Sequence, residues 1–177
     1  MNRLKLPGPD DHVRGNTDAP VTLIEYGDYE CPYCGRAHPA ILDALRRMGS
    51  SVRFVYRHFP LTEMHRHALQ AAEAAEAAGA QGRFWDMHDL LYENQAALGL
   101  TDLYGYAAAL GLDQGRFQAD LATHAHLGKI ERDFNSGVRS GVNGTPTLFI
   151  QGMRYEGSRD PDALTAALQS ALGRAAA

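Results

Sequence analysis

Cysteine is scarce in this chain, whose 177 residues include two, Cys31 and Cys34. A pair this close cannot form a structural disulfide framework, because the loop that it would close is too short to stabilise much. The count also excludes a four-cysteine zinc site. The pair is therefore open to redox chemistry, or to a place in a metal site with some of the eight histidines.

Runs of basic residues, long apolar stretches and an apolar N-terminal h-region are missing as well. The 17 Lys and Arg are scattered and the net charge is −4, so we expect no nucleic-acid partner. No stretch has the length of a membrane span, so we expect no membrane association. Without an h-region we expect a cytoplasmic protein as the sequence stands, or a periplasmic or otherwise extracytoplasmic one if a leader has been removed.

A strand-like run directly precedes the cysteines. Residues 21–26 are apolar and β-rich, which predicts a central strand buried on both faces. Glu25 is then an acid in an apolar strand. The alternative is a glutamate at the strand end that reaches solvent.

A helix is predicted to begin at Pro32, with Cys31 at its N-cap, and to end at Gly49. Its apolar stripe turns Cys34 toward the core and leaves Cys31 at an exposed helix end. Residues 52–59 read as a second strand. Together these elements predict a right-handed β-α-β unit with parallel strands.

The remaining chain divides into a helical part and a strand-forming part. Residues 63–141 carry helical patterns only, whereas residues 144–152 and 153–157 read as a hairpin followed by a final helix. We therefore predict an α/β fold in which residues 12–62 and 142–177 form one domain. Residues 63–141 form a helical insertion in it, and residues 1–11 form an extended arm.

This order of elements resembles the thioredoxin fold, with β-α-β and β-β-α halves and a CxxC pair at the first helix. The helical insertion after the second strand narrows the resemblance to the DsbA-like branch. Residues 18–34 and 141–147 look most like bacterial DsbA-family thiol–disulfide oxidoreductases of the thioredoxin-like subgroup. That subgroup includes cytoplasmic members and domains joined to sodium/proton antiporters.

A helix N-terminus favours an anion, so Cys31 is the expected thiolate nucleophile and Cys34 the resolving thiol. Pro32 and Tyr33, which lie between the two cysteines, are expected to tune the redox potential. The DsbA pattern has His at the position of Tyr33. Because Tyr33 carries no formal charge to hold the thiolate, we expect a milder oxidant.

The resemblance also implies roles for three residues outside the CxxC. The Thr145–Pro146 bond is expected to be cis and to lie against the cysteines, where Thr145 offers backbone groups to a substrate strand. Glu25, six residues before Cys31, is expected to take the proton from Cys34. Thr145 departs from the DsbA pattern, which has Val at that position.

The predicted function is thiol–disulfide exchange with protein substrates, as oxidase, isomerase or reductase according to the compartment. A redox-sensing or chaperone-like binding module and a glutathione-linked isomerase on the same fold are the alternatives. We expect a monomer with no cofactor beyond the Cys31–Cys34 disulfide, recycled by glutathione or another redox partner.

Two further groups of polar residues are expected to have ordinary roles. No metal site is predicted, because no second CxxC follows and His38, the nearest additional ligand to the cysteines, reads as a helix-surface histidine. Glu73 and Glu76, on an Ala-rich helix, are expected to be solvated or paired with arginine.

Overall fold

The computed structural model describes Leu4 and residues 6–175. Its strands are β1 (His12–Gly15), β2 (Val21–Gly27), β3 (Val52–His58), β4 (Thr147–Ile150) and β5 (Met153–Tyr155). Its α-helices are α1 (Pro32–Met48), α2 (Ala68–Gly79), α3 (Phe84–Glu93), α4 (Leu100–Ala109), α5 (Gln114–Ala122), α6 (Leu127–Arg139) and α7 (Pro161–Ala175). Helices α2 to α6 all lie between β3 and β4 in the chain.

The five strands form one sheet in the order β1-β3-β2-β4-β5. Strands β2 and β3 are parallel, with Val21 opposite Val52, and the other three pairs are antiparallel. The predicted β-α-β unit is therefore confirmed. All seven residues of β2 are buried, as expected for a central strand covered on both faces.

Successive side chains of β2 point to opposite faces of the sheet, and each face has its own apolar core. Leu23 packs in the same core as Cys34 of α1. Ile24 and Tyr26 belong to the second core, against which Phe134 of α6 packs. By this alternation Glu25 points to the face of Leu23 and Cys34, which places a carboxyl group behind the redox pair.

The expectation that Glu73 and Glu76 are solvated or paired with arginine is wrong. They are 4% and 6% exposed, because the surrounding alanines of α2 let neighbouring elements close over the helix. The partners of these two glutamates are histidines and not the expected arginines. Glu76 lies 2.9 Å from Nε2 of His12 and 2.7 Å from Nε2 of His58, and Glu73 lies 2.8 Å from Nδ1 of His124.

The predicted arm, residues 1–11, lies partly outside the described residues, as do the last two residues of the predicted 142–177 segment. The described part of the arm turns where the amide of Asp11 donates to the carbonyl of Gly8 over 3.0 Å. The Asp11 carboxylate then pairs with Arg57 of β3 at 2.8 Å, which ties the arm to the sheet. Within the described part of the chain, no helix combines the length and apolarity needed to cross a membrane.

Candidate active site

The two cysteines occupy the first turn of α1, where the sequence predicts them. Cys31 is the N-cap residue, with extended φ −70° and ψ 120°, and Pro32 is the first helical residue. The amide of Cys31 donates to the carbonyl of Asp28 over 3.1 Å, which fixes the loop before the helix. Cys34 is fully buried, and both cysteines are reduced in this structure.

Cys31 is not at an exposed helix end, as expected from the sequence, because it is only 3% exposed. The loop before β4 covers it. Its Sγ atom donates to the carbonyl oxygen of Thr145 over 3.4 Å, although 114 residues separate the two in the chain. Helical periodicity describes one helix at a time, so it could not reveal this cover.

The surroundings of the two thiols shift their pKa values in opposite directions. A hydrogen bond from Cys34 is the main cause that lowers the pKa of Cys31, from 9.0 to about 5, and the Thr145 hydroxyl and nearby backbone amides add to it. Burial, with the hydrogen bond given to Cys31, raises the pKa of Cys34 well above 9.0. At neutral pH the reduced pair therefore holds a thiolate at Cys31 and a proton at Cys34.

Glu25 is 1% exposed, so the reading as a solvent-reaching glutamate is wrong. Burial, the largest cause, and the Cys31 thiolate together raise its pKa from 4.5 to about 8, although Arg159 opposes them in part. Its Oε2 atom has no hydrogen-bond partner among the described residues. Glu25 also contributes to the raised pKa of Cys34, so the two groups are electrostatically coupled.

The loop that covers Cys31 contains the Thr145–Pro146 peptide bond, which is cis as expected. Pro146 is buried, and its carbonyl accepts a 3.0 Å hydrogen bond from Arg159. The hydroxyl oxygen of Thr145 is buried without a hydrogen-bond partner among the described residues while Cys31 is a thiol. It is therefore free to donate to the Cys31 thiolate, and this hydrogen bond adds to the lowering of the Cys31 pKa that is due mainly to Cys34.

The residues between the cysteines face outward. Pro32 is exposed and Tyr33 is 64% exposed, with the guanidinium of Arg36 lying 4.5 Å from the centre of the Tyr33 ring. A surface pocket of about 250 Å³ lies beside them and is lined by Tyr33, Arg36, Ala37, Pro146, Arg159 and Asp160. This pocket joins the CxxC to the cis-proline loop, so a bound chain could contact both.

No pattern in the sequence indicates a role for Gln95, which follows α3 in the helical insertion. Its Nε2 donates to the carbonyls of Tyr29 and Cys31, each over 2.8 Å. Gly35 makes room for it, since a Cβ atom there would lie 2.0 Å from Oε1 of Gln95. A glutamine in a turn has no diagnostic pattern, so only the packing of α3 against α1 identifies this contact.

Asp28 is a second residue whose role sequence reasoning missed. Its buried carboxylate accepts from the amides of Glu30 and Leu61, over 2.8 and 2.9 Å. The same carboxylate lies 2.8 Å from Nδ1 of His65. Burial is the largest single influence on the pKa of His65 and lowers it, but this hydrogen bond and the negative charges nearby together raise the pKa. Asp28 thereby fastens the loop before the cysteines to the segment after β3.

The expectation of a helix-surface histidine at position 38 is also wrong, since His38 is 6% exposed. Helix α3 of the insertion covers this side of α1. The rings of His88 and Tyr92 lie 5.3 and 4.9 Å from that of His38, measured between ring centres. Residues on α1 that would face solvent in a smaller fold are therefore interior here.

A thiolate-forming CxxC at a helix N-terminus, a buried acid and a cis-proline loop on this sheet define the class of DsbA-like thiol–disulfide oxidoreductases. The chain belongs to the thioredoxin family, because the family model described as Thioredoxin matches residues 8–170.

Two solved structures resemble the chain over almost its whole length. A thioredoxin-like oxidoreductase from Silicibacter pomeroyi superposes with a TM-score of 0.81 and 30% identity, over 96% of this chain and 94% of that one. The α-DsbA1 protein of Wolbachia pipientis gives a TM-score of 0.85 over 97% of this chain and 95% of its own. At 22% identity, the second likeness concerns the fold alone.

A curated relative of higher identity carries a different name. The Na(+)/H(+) antiporter NhaA 1 of Salinispora arenicola is 52% identical over 162 residues, which cover 92% of this chain but 25% of that protein. The chain thus spans about a quarter of the length of this relative. The sequence similarity is therefore to that quarter of the antiporter chain.

Proposed function

We propose that this chain exchanges disulfides with protein substrates through Cys31 and Cys34. The observation that supports this proposal is the opposite displacement of the two thiol pKa values, with Cys31 lowered to about 5 and Cys34 raised well above 9.0. A low pKa makes Cys31 a thiolate and a good leaving group, whereas Cys34 holds its proton. The pair therefore has one entry point for a substrate sulfur and one resolving sulfur.

In the oxidising direction, a substrate thiolate attacks Sγ of Cys31 in the Cys31–Cys34 disulfide. The disulfide bond breaks, the Cys34 sulfur leaves with the electron pair, and it takes a proton that Glu25 supplies. A second substrate thiolate then attacks the substrate sulfur of the mixed disulfide and releases Cys31 as a thiolate. The substrate loses two electrons, which the cysteine pair gains, and the reducing direction reverses each step.

Glu25 is suited to this proton transfer because its pKa depends on the state of Cys31. The Cys31 thiolate raises the pKa of Glu25, so the carboxyl group holds its proton best when Cys31 is charged. In the mixed disulfide that charge is gone. The carboxylate form of Glu25 is then favoured, at the step of the reducing direction in which Cys34 must lose its proton.

We propose that the substrate chain lies along the cis-proline loop and the pocket beside Tyr33. The backbone of Thr145 is next to Cys31, where an extended segment could add to it as a strand. Arg36 and Arg159 line the pocket together with Asp160. Glutathione or a separate redox protein would return the pair to its starting state.

The test is an insulin-reduction assay together with recovery of scrambled ribonuclease. Cys31→Ser should abolish both activities, and Cys34→Ser should accumulate mixed disulfides because nothing resolves them. If Cys34→Ser kept full turnover, a monothiol mechanism that uses glutathione would replace the dithiol one. If the unmodified protein showed neither activity, a redox-sensing module would replace the enzyme.

A further inference from the structure

A second cluster of chemically active side chains lies deeper in the molecule, between α1 and α3. It consists of His38, one helical turn beyond Cys34, and of His88 and Asp89 on α3. Both histidines are buried, and the proposed exchange reaction uses none of the three residues.

The three residues bring their ligand atoms close together, since one ligand atom of each lies within 4.8 Å of the other two. The atoms still available are Nε2 of His38, Nε2 of His88 and Oδ1 of Asp89. Each atom is buried, and none has a hydrogen-bond partner among the described residues. A buried polar atom without a partner destabilises the folded protein, so three at one place call for a shared partner.

The other polar atoms of two of these side chains are already occupied. Nδ1 of His88 lies 2.9 Å from the hydroxyl of Tyr29, and Oδ2 of Asp89 accepts a 2.7 Å hydrogen bond from Arg14. Outer contacts of this kind hold the ligands of metal ions in place in proteins. They leave His88 Nε2 and Asp89 Oδ1 available for another partner.

We propose that His38, His88 and Asp89 bind one divalent transition-metal ion, of which Zn²⁺ fits the donors best. Two imidazole nitrogens and one carboxylate oxygen suit zinc, whereas Ca²⁺ and Mg²⁺ prefer oxygen ligands throughout. Burial keeps imidazoles neutral, which is the form that binds metal. Three protein ligands leave a fourth position for water.

The distances and the exposure are compatible with such an ion. Ligand atoms of a tetrahedral zinc site lie about 3.3 Å apart, given zinc–nitrogen bonds of about 2.0 Å. Nε2 of His38 and Oδ1 of Asp89 are already 3.4 Å apart, and they lack the alignment of a hydrogen bond. The Asp89 side chain is 32% exposed, which gives the ion a path from solvent.

A metal here would join the redox-active helix to the insertion. His38 comes from α1, which carries the cysteines, and the other two ligands come from α3. The bound ion would stabilise the folded protein by RT ln(1 + c/Kd), where c is the free Zn²⁺ concentration, so the stabilisation grows with the logarithm of that concentration. It would not take part in disulfide exchange.

The experiment is a calorimetric titration of the whole chain with Zn²⁺ after the Cys31–Cys34 disulfide has been formed, so that no thiol can bind the metal. We expect one Zn²⁺ per chain. We expect His38→Gln and Asp89→Asn each to weaken binding at least about tenfold. The matched control is His126→Gln, which alters another histidine–aspartate pair, 3.2 Å apart, and should leave the affinity unchanged.

Co²⁺ provides a second measurement that identifies the donors. Nitrogen and oxygen ligands give visible d–d bands without the thiolate charge-transfer band that the cysteines would add. Asp89→Asn keeps the shape of a partly exposed side chain, so it decides the question even if the buried histidine variants do not fold. Absence of stoichiometric zinc binding by the oxidised protein, or binding unchanged in Asp89→Asn, would overturn the proposal in favour of a bound water.

Discussion

The side-chain amide of Gln95 donates a 2.8 Å hydrogen bond to the carbonyl oxygen of Cys31, which connects the helical insertion to the redox pair. The same nitrogen donates to the carbonyl of Tyr29, so one side chain holds both ends of the turn before α1. The insertion therefore supports the geometry of the candidate active site.

Gln95→Ala should lower the free energy of unfolding by about 2 kcal/mol and slow insulin reduction, because two carbonyl groups lose their donor. Gln95→Glu should be worse, since its carboxylate would face those carbonyls and repel the Cys31 thiolate. Denaturant unfolding and the reduction rate measure both effects. Gln118→Ala, at an exposed position of α5, is the control, and equal effects of Gln95→Ala and Gln118→Ala would contradict the assignment.

The Cys31 thiolate should titrate with a midpoint at about pH 5, well below 9.0. Because the hydrogen bond from Cys34 is the main cause, Cys34→Ala should raise this pKa. Cys34→Ser should raise it less, since a hydroxyl can still donate. The rate of iodoacetamide alkylation against pH measures all three proteins, and an unchanged midpoint in Cys34→Ala would show that the cause lies elsewhere.

Thr145→Val should raise the pKa of Cys31 from about 5 toward roughly 6, because the hydroxyl that stabilises the thiolate is lost. Valine keeps the shape of the side chain and the cis-proline loop. Thr145→Ser, which keeps the hydroxyl, is the control. The same alkylation assay applies, and equal midpoints for Val and Thr at position 145 would count against the hydroxyl.

Glu25→Gln should stabilise the reduced protein at neutral pH. The folded-state pKa of Glu25 is raised from 4.5 to about 8, so folding holds the proton and stability falls as pH rises from 4.5 to about 8. Between pH 4.5 and pH 7 this amounts to about 3 kcal/mol, which Gln should recover. Urea unfolding at pH 4 and pH 7 tests it, since the gain should vanish at pH 4.

Glu25→Gln should also slow the resolution of mixed disulfides, because an amide cannot exchange the proton of Cys34. Rapid acid quenching of mixed disulfides measures this step. If Glu25→Gln were more stable but resolved mixed disulfides as fast as the unmodified protein, burial of Glu25 would still explain the stability. Glu25 would then have no role in proton transfer.

The reduction potential should lie at roughly −230 to −150 mV, between typical values of about −270 mV for thioredoxin and about −120 mV for DsbA. Tyr33 carries no formal charge, and the pKa of Cys31, about 5, also lies between the thiolate pKa values of those two proteins. Tyr33→His should move the potential toward −120 mV, whereas Tyr33→Phe should change it little. Equilibration with glutathione buffers measures it, and a value near −120 mV for the unmodified protein would refute the role of Tyr33.

Local patterns in the sequence were sufficient to predict β2 and α1, the strand before the redox pair and the helix that holds it. Proline at the first helical position, the apolar run of β2 and the glycine at position 49 act over a few residues. They therefore predict the start of α1 at Pro32, its end at the Gly49 cap, and β2 to within one residue of its observed bounds. The roles of the cysteines follow from the helix N-terminus, whereas the cis bond before Pro146 follows only from the resemblance of the whole pattern.

By itself, then, the sequence determined the order of the elements, the placement of Cys31 and Cys34 at a helix start, and an acid in the central strand. The tertiary structure alone decided what covers each polar side chain. Cys31, His38 and Glu76 are buried, and Gln95 reaches the active site, because elements distant in the chain pack over them. Helical periodicity shows which residues share a face, but whether that face meets solvent depends on the packing of the other helices.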